Sequence, residues 1–196
     1  FEVQSSRFNV PHLLLIPMPR ATHHPSLATR LRRVKLFLTD VDGVMTDGTV
    51  LMGPGIELKQ YDIQDGLGIV MLRHNGIKVG WVSARPSAAT EVRAADLKID
   101  FLAQPKHGKV EAVEQIIAQC GLTWADTCFV GDDVIDIAVF RKAGLAVAVA
   151  NARPVAKAEA HMVTKAKGGH GAVREVIDKI LSAQGKWKAT VEAFAK

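Results

Sequence analysis

Apolar residues in this chain recur in two rhythms from residue 34 onward. Short continuous runs bounded by turn residues, "VKLFLT" (34–39), "IKVGWVS" (77–83), "TCFVG" (127–131) and "LAVAVA" (145–150), have the length and branched content of strands buried on both faces. Between them apolar positions fall three and four apart, as on one face of a helix. The segments are "GLGIVMLRHNG" (66–76, ended by Gly76), "PSAATEVRAADL" (86–97), "HGKVEAVEQIIAQCG" (107–121, ended by Gly121), "DVIDIAVFRKAG" (133–144), "ARPVAKAEA" (152–160) and "GAVREVIDKILSAQ" (171–184). Pro86 sits at a first turn, where its missing N–H costs little. "DFLA" (100–103) and "HMVTK" (161–165) add short strands, and "GTVLM" and "IELKQYDI" around "GPG" predict a β-hairpin at 48–62.

Strands alternating with helices imply βαβ units. The predicted fold class is therefore α/β: a doubly wound, mainly parallel sheet in a three-layer sandwich, with the hairpin as an insertion and no room for a cap domain. At 196 residues and 48% hydrophobic, the chain suffices for one such domain, placed at 33–184. Residues 1–32 read as an N-terminal extension without the charged start and small-residue cleavage site of a signal peptide, and 185–196 as a C-terminal tail. His23 and His24 in the extension have no metal-ligand company and are read as incidental.

Charge narrows the partners only slightly. A formal net charge of +5 favours anionic ligands. The cluster "TRLRRVK", with few aromatics to interleave, is expected to be a solvated basic face and not a nucleic-acid patch. Cys120 and Cys128 lie in or beside apolar segments without metal-site spacing, so reduced core cysteines in a cytoplasmic protein are expected. No apolar run approaches membrane-spanning length, and no membrane partner is expected.

Chemistry concentrates where an open α/β sheet binds ligands, at the carboxyl ends of its strands. Asp40 and Asp42 follow the first strand, Ser83 and Arg85 the "IKVGWVS" strand, and "GDDVID" (131–136) the "TCFV" strand; Lys109 opens the helix after "DFLA". Clustered carboxylates with oxygen-only donors suit Mg²⁺, which neutralises them and bridges a phosphate. One carboxylate can attack phosphorus, and a second, held protonated by its neighbour's charge, can protonate the leaving oxygen. Ser83 and Lys109 suit the phosphoryl oxygens, and Gly43 and Gly131 permit close backbone approach. Asp47 is expected to open the hairpin, and Lys109 is preferred to Lys106.

"DVDGVMTDG", the Ser of "WVSAR", Lys109 and "GDDVID" resemble, in order, the four motifs of the haloacid-dehalogenase superfamily of phosphatases. "DVDGVMTDGTVLMGPGIELKQYDIQDGLGI" and "KGGHGAVREVIDKILSAQGKW" are similar to the active-site loop, hairpin and C-terminal segment of its capless subgroup, the 3-deoxy-D-manno-octulosonate 8-phosphate (KDO 8-phosphate) phosphatases. The resemblance covers about residues 34–188. It implies Asp40 as nucleophile and Mg²⁺ ligand, and Asp42 as general acid and base whose main-chain carbonyl also binds metal. It further implies Asp132 as the remaining metal ligand, Asp133 and Asp136 in support, and Ser83 and Lys109 as phosphate-binding. It implies a homotetramer acting on a small phosphorylated sugar acid in lipopolysaccharide biosynthesis, with a neighbour's hairpin and tail closing the site.

Departures from the pattern bear on the sugar. The second motif reads "SAR" in place of Thr-Gly-Arg, Gln64 stands where a basic residue is common, and His170 where some relatives have Arg. Arg85, Gln64 and His170 are the candidate substrate contacts. A nine-carbon sugar-acid 9-phosphate phosphatase and a non-catalytic oligomerisation module are the competing readings. The intact set Asp40, Asp42, Ser83, Lys109 and Asp132 argues against the latter.

Overall fold

The computed structural model describes residues 25–196. Helix α1 (Leu27–Arg33) precedes strand β1 (Leu36–Thr39), and a hairpin of β2 (Leu51–Gly53) and β3 (Ile56–Leu58) leads to α2 (Ile63–His74). The alternation continues through β4 (Lys78–Val82), α3 (Ala88–Asp96), β5 (Phe101–Ala103), α4 (Lys109–Cys120), β6 (Thr127–Gly131), α5 (Ile137–Phe140), β7 (Leu145–Ala148), α6 (Pro154–Glu159) and β8 (Met162–Val163). Helices α7 (Ala172–Ala183) and α8 (Trp187–Phe194) close the chain. The six-stranded sheet has the order β5-β4-β1-β6-β7-β8 with every pairing parallel, while β2 and β3 pair antiparallel apart from it. The doubly wound α/β expectation holds.

The unbroken apolar runs are buried on both faces: Leu36, Phe37 and Leu38 of β1 and Cys128, Phe129 and Val130 of β6 are fully inaccessible. Helix α2 packs on α7 across one face, and α4 packs on α5 elsewhere in the helical layers. From β1 the chain proceeds outward through β4 to β5, then returns past β1 to β6 and on to β8. Winding therefore reverses beside β1, and the crevice at that reversal is where ligands of such sheets sit.

Three segments differ from the pattern reading. The extension's end, 27–33, is a helix, because the Ser26 side chain accepts from Thr29 N and Leu31 is buried. The helix expected over 133–144 is split into a 3₁₀ turn at Val134–Asp136 and the short α5, because Asp133 and Asp136 carboxylates engage backbone N–H groups at its start. The segment 185–196 folds as α8, whose buried Thr190 hydroxyl accepts from Asn75 Nδ2 at 2.8 Å at the C-terminal end of α2. His23 and His24 lie outside the described residues. Cys120 and Cys128 are both free thiols, half-buried and buried.

Candidate active site

The parallel register pairs Thr39 of β1 with Val130 of β6, and Asp40 N donates to Val130 O at 2.9 Å. That register carries Asp40 and Asp132 off neighbouring strands side by side. A cavity of about 210 Å³ is lined by Asp40, Asp42, Ser83, Ala84, Arg85, Asp132, Asp133 and Ile135. The strand-end residues of three separate sequence segments thus meet in one place.

Burial sets the electrostatics. Asp40 is only 4% exposed; its Oδ1 accepts from Val41 N at 2.7 Å and its Oδ2 lies 3.0 Å from Lys109 Nζ. Lys109 also donates to Asp136 Oδ1 at 2.7 Å, while Asp136 Oδ2 accepts from the Asp132 and Asp133 N–H groups at 2.9 and 3.2 Å. Burial pushes Asp40 up to about 6 against the pull of Lys109. Burial opposes the charge on Lys109, but Asp40 and Asp136 outweigh it and raise its pKa. Burial, with repulsion from Asp40, Asp136 and Asp133, lifts Asp132 to about 7.

This imbalance bears on what the site can hold. Asp40, Asp132 and Asp136 each offer a carboxylate oxygen within 4.8 Å of the others. Asp136 has both oxygens committed to Lys109 and the main chain. The Asp132 carboxylate has no hydrogen-bond or ion-pair partner among the described residues. One ammonium cannot balance the group, and an all-oxygen donor set of this kind fits a hard divalent cation such as Mg²⁺. Asp136 then stands behind the site, holding Lys109 and the Asp132 backbone, and Asp133 caps the turn through Val134 N at 2.7 Å.

Close approach explains two glycines. Gly43 has φ +89°, and a Cβ there would lie 2.2 Å from Asp132 Oδ2; one at Gly131 would meet Asp136 at 2.5 Å. The "KGGHG" loop presses on the same turn, since a Cβ at Gly168 would collide with the Gly43 carbonyl. Asn151 Oδ1 accepts from Gly168 N at 2.7 Å and ties that loop in place. Asp47 Oδ1 accepts from Thr49 N at 2.7 Å, opening the hairpin as its position predicted.

The hairpin supplies residues that the pattern reading passed over. Lys59 Nζ lies 2.7 Å from Asp42 Oδ1, so the nearest charge to Asp42 is an ammonium and not the carboxylate of Asp40. Glu57 receives both guanidinium nitrogens of Arg85, at 3.0 and 2.7 Å, and a hydrogen bond from the Ser87 hydroxyl. Alternation along "IELKQ" was the available signal, because Glu57 and Lys59 share a face. Ser83, 1% exposed, accepts from Arg85 N at 3.3 Å. Gln64 and His170 are exposed and line no part of the Asp40 cavity within this chain. Lys106 lines a neighbouring cavity of about 380 Å³ together with Lys109, but Lys109 alone reaches Asp40.

Comparison with known proteins finds relatives of one family. A family model described as haloacid dehalogenase-like hydrolase matches residues 95–177. The chain is 42% identical over 158 residues to the KDO 8-phosphate phosphatase of Yersinia pestis, covering 80% of this chain and 84% of that one. It is 40% identical over 163 residues to the same phosphatase of Salmonella typhimurium, covering 83% and 87%. The crystal structure of the Moraxella catarrhalis phosphatase with magnesium ion, phosphate ion and KDO superposes with a TM-score of 0.83 at 33% identity, over 85% of this chain and 97% of that chain. The cobalt-bound Haemophilus influenzae phosphatase superposes with a TM-score of 0.81 at 38% identity, over 85% and 99%.

Proposed function

The chain belongs to the KDO 8-phosphate phosphatases of the haloacid dehalogenase-like hydrolases, and from that premise we propose that it hydrolyses 3-deoxy-D-manno-octulosonate 8-phosphate to 3-deoxy-D-manno-octulosonate and phosphate. It is a phosphoric monoester hydrolase that uses Mg²⁺. The observation that carries the reading is the buried Asp40, paired to Lys109 and set beside the partnerless carboxylate of Asp132 where the sheet's winding reverses.

Mg²⁺ would be held by Asp40, Asp132 and the main-chain carbonyl of Asp42, and when bound it neutralises the carboxylates and draws charge from the phosphoryl oxygens. The Asp40 carboxylate attacks phosphorus, and the bond to the sugar oxygen breaks with its electron pair on that oxygen. Asp42 delivers a proton there, then takes one from the water that hydrolyses the aspartyl-phosphate. Lys109 Nζ, already 3.0 Å from Asp40 Oδ2, meets the charge on the transferring group, and the Ser83 hydroxyl in the cavity wall supplies a second contact. Arg85, which lines the same cavity and holds Glu57, would contact a sugar hydroxyl or carboxylate.

A homotetramer in the cytoplasm, serving lipopolysaccharide synthesis, completes the proposal. Exposed Leu51, Met52, Ile56 and Leu58 on the hairpin, with Ile63, Leu67 and Val70 along α2, support association. No helix among the described residues is long and apolar enough to cross a membrane. The test is phosphate release from eight-carbon and nine-carbon sugar-acid phosphates and hexose phosphates, with and without Mg²⁺. Metal-dependent preference for the eight-carbon substrate is expected. Preference for the nine-carbon compound would move the assignment to that phosphatase, and no release from any would overturn it.

A further inference from the structure

Lys59 is the one hairpin side chain that reaches the catalytic pair, and its surroundings define what it can do. Its Nζ lies 2.7 Å from Asp42 Oδ1, donates to Thr90 Oγ1 at 3.0 Å, and stands 4.0 Å from Glu57 Oε1. The Lys59 side chain has 0% exposure. An ammonium this enclosed is closed to a sugar or a phosphoryl group, so it acts through the carboxylate it touches. Neither Asp42 oxygen has a hydrogen-bond partner among the described residues; Oδ1 is held by the ion pair with Lys59, Oδ2 has no such contact, and the residue lines the reaction cavity.

We propose that Lys59 is the positioning residue for the general acid: by holding Asp42 Oδ1 it directs Oδ2, and the proton it exchanges, at the leaving oxygen. The inference rests on the phosphatase reading above. An ammonium against Oδ1 leaves Oδ2 as the oxygen that carries the transferable proton. In the first step that proton passes to the departing sugar oxygen as its bond to phosphorus breaks. In the second, Oδ2 accepts a proton from the attacking water. Its tether is indirect but firm, because α3 supplies Thr90 and the hairpin supplies Glu57, itself clamped by Arg85 and Ser87. The hairpin thereby acts on the chemistry of its own chain, in addition to any role at a subunit contact.

Leaving-group chemistry separates positioning from structure. A sugar alkoxide must be protonated to leave, whereas the nitrophenolate of p-nitrophenyl phosphate departs without a proton. In Lys59→Met, kcat on the sugar phosphate should fall about 10–100-fold, part of a general-acid contribution. The fall on p-nitrophenyl phosphate should be much smaller, with KM for the sugar phosphate little changed. Lys59→Arg should recover part of the loss. Thr90→Val, which removes the tether from the far side, should show a smaller effect with the same selectivity, and serves if Lys59→Met fails to fold. Equal losses on both substrates in Lys59→Met and in Thr90→Val would reduce Lys59 to a structural role. A raised KM with unchanged kcat would make it a binding residue. Failure of the unmodified enzyme to release phosphate from either compound would overturn the phosphatase reading itself.

Discussion

Replacing Lys109 by Met removes one ammonium from between two buried carboxylates while keeping most of the side chain's bulk. Its Nζ is 3.0 Å from Asp40 Oδ2 and 2.7 Å from Asp136 Oδ1, with only 5% of the side chain exposed. Breaking a buried pair by deleting one partner costs about 3–5 kcal/mol, because the remaining charge stays in a poor solvent. For a domain of this size, that corresponds to a melting temperature lower by about 6–20 °C. Lys109 also holds down the pKa values of Asp40 and Asp132, now near 6 and 7 respectively, so both should rise further in the variant. In metal-free enzyme the nucleophile then holds its proton to a higher pH than in the parent. Added Mg²⁺ should recover part of the lost stability, since it binds the folded state alone. It should not recover the rate, which should fall about 10²–10³-fold with the loss of a donor to the transition state. Calorimetry with and without Mg²⁺, beside steady-state phosphate release, reads all three quantities. A variant melting within about 2 °C of the parent, a small fraction of that expected shift, and turning over at the parent rate would refute the reasoning.

Further outcomes follow from the same geometry. Asp42→Asn should slow sugar-phosphate hydrolysis by about 10²–10⁴-fold while leaving the fold intact, read by phosphate release and circular dichroism. Gly43→Ala combines a φ of +89° with a Cβ placed 2.2 Å from Asp132 Oδ2. Backbone strain of about 1–3 kcal/mol is expected there. Displacement of Asp132 should weaken Mg²⁺ binding by about 10-fold or more in calorimetric titration, and an unchanged affinity would count against Asp132 as ligand. Glu57 is held down to about 2 by hydrogen bonds from Arg85 and Ser87. A depressed folded value means that the latch contributes fully above the unfolded value of 4.5 and is lost as pH falls through about 2. Carbon-detected NMR titration of the Glu57 carboxyl should show that low midpoint, and Arg85→Ala should return it toward 4.5.

The legible parts of this molecule were those where local pattern and tertiary demand coincide. Leu36, Phe37 and Leu38 form an unbroken apolar run because both faces of β1 are covered, and Asp40 breaks that run because the strand ends in a crevice. Gly43 and Gly131 could be read as close-approach positions, and the Asp132 and Asp136 carboxylates are what approach them. Lys59 and Glu57 were hidden because polar residues on a short exposed hairpin look solvated. Only the fold-over of the hairpin brings Lys59 to Asp42 and Glu57 to Arg85, 28 residues away in sequence. Helix α8 was hidden for a similar reason: its anchor, Thr190, meets an asparagine 115 positions earlier. The break between residues 133 and 137 was hidden because helical periodicity registers apolar spacing and not the competition of Asp133 and Asp136 for backbone N–H groups.

The central claim is that phosphate leaves the sugar acid by way of Asp40. The direct measurement is rapid acid quench of the enzyme turning over KDO 8-phosphate with Mg²⁺, followed by peptide mass spectrometry. A phosphoryl group on the peptide containing Asp40, lost on chelation of the metal and in Asp40→Asn, is the predicted result. Undiminished turnover in Asp40→Asn, or a phosphoryl group carried on any other residue, would contradict it.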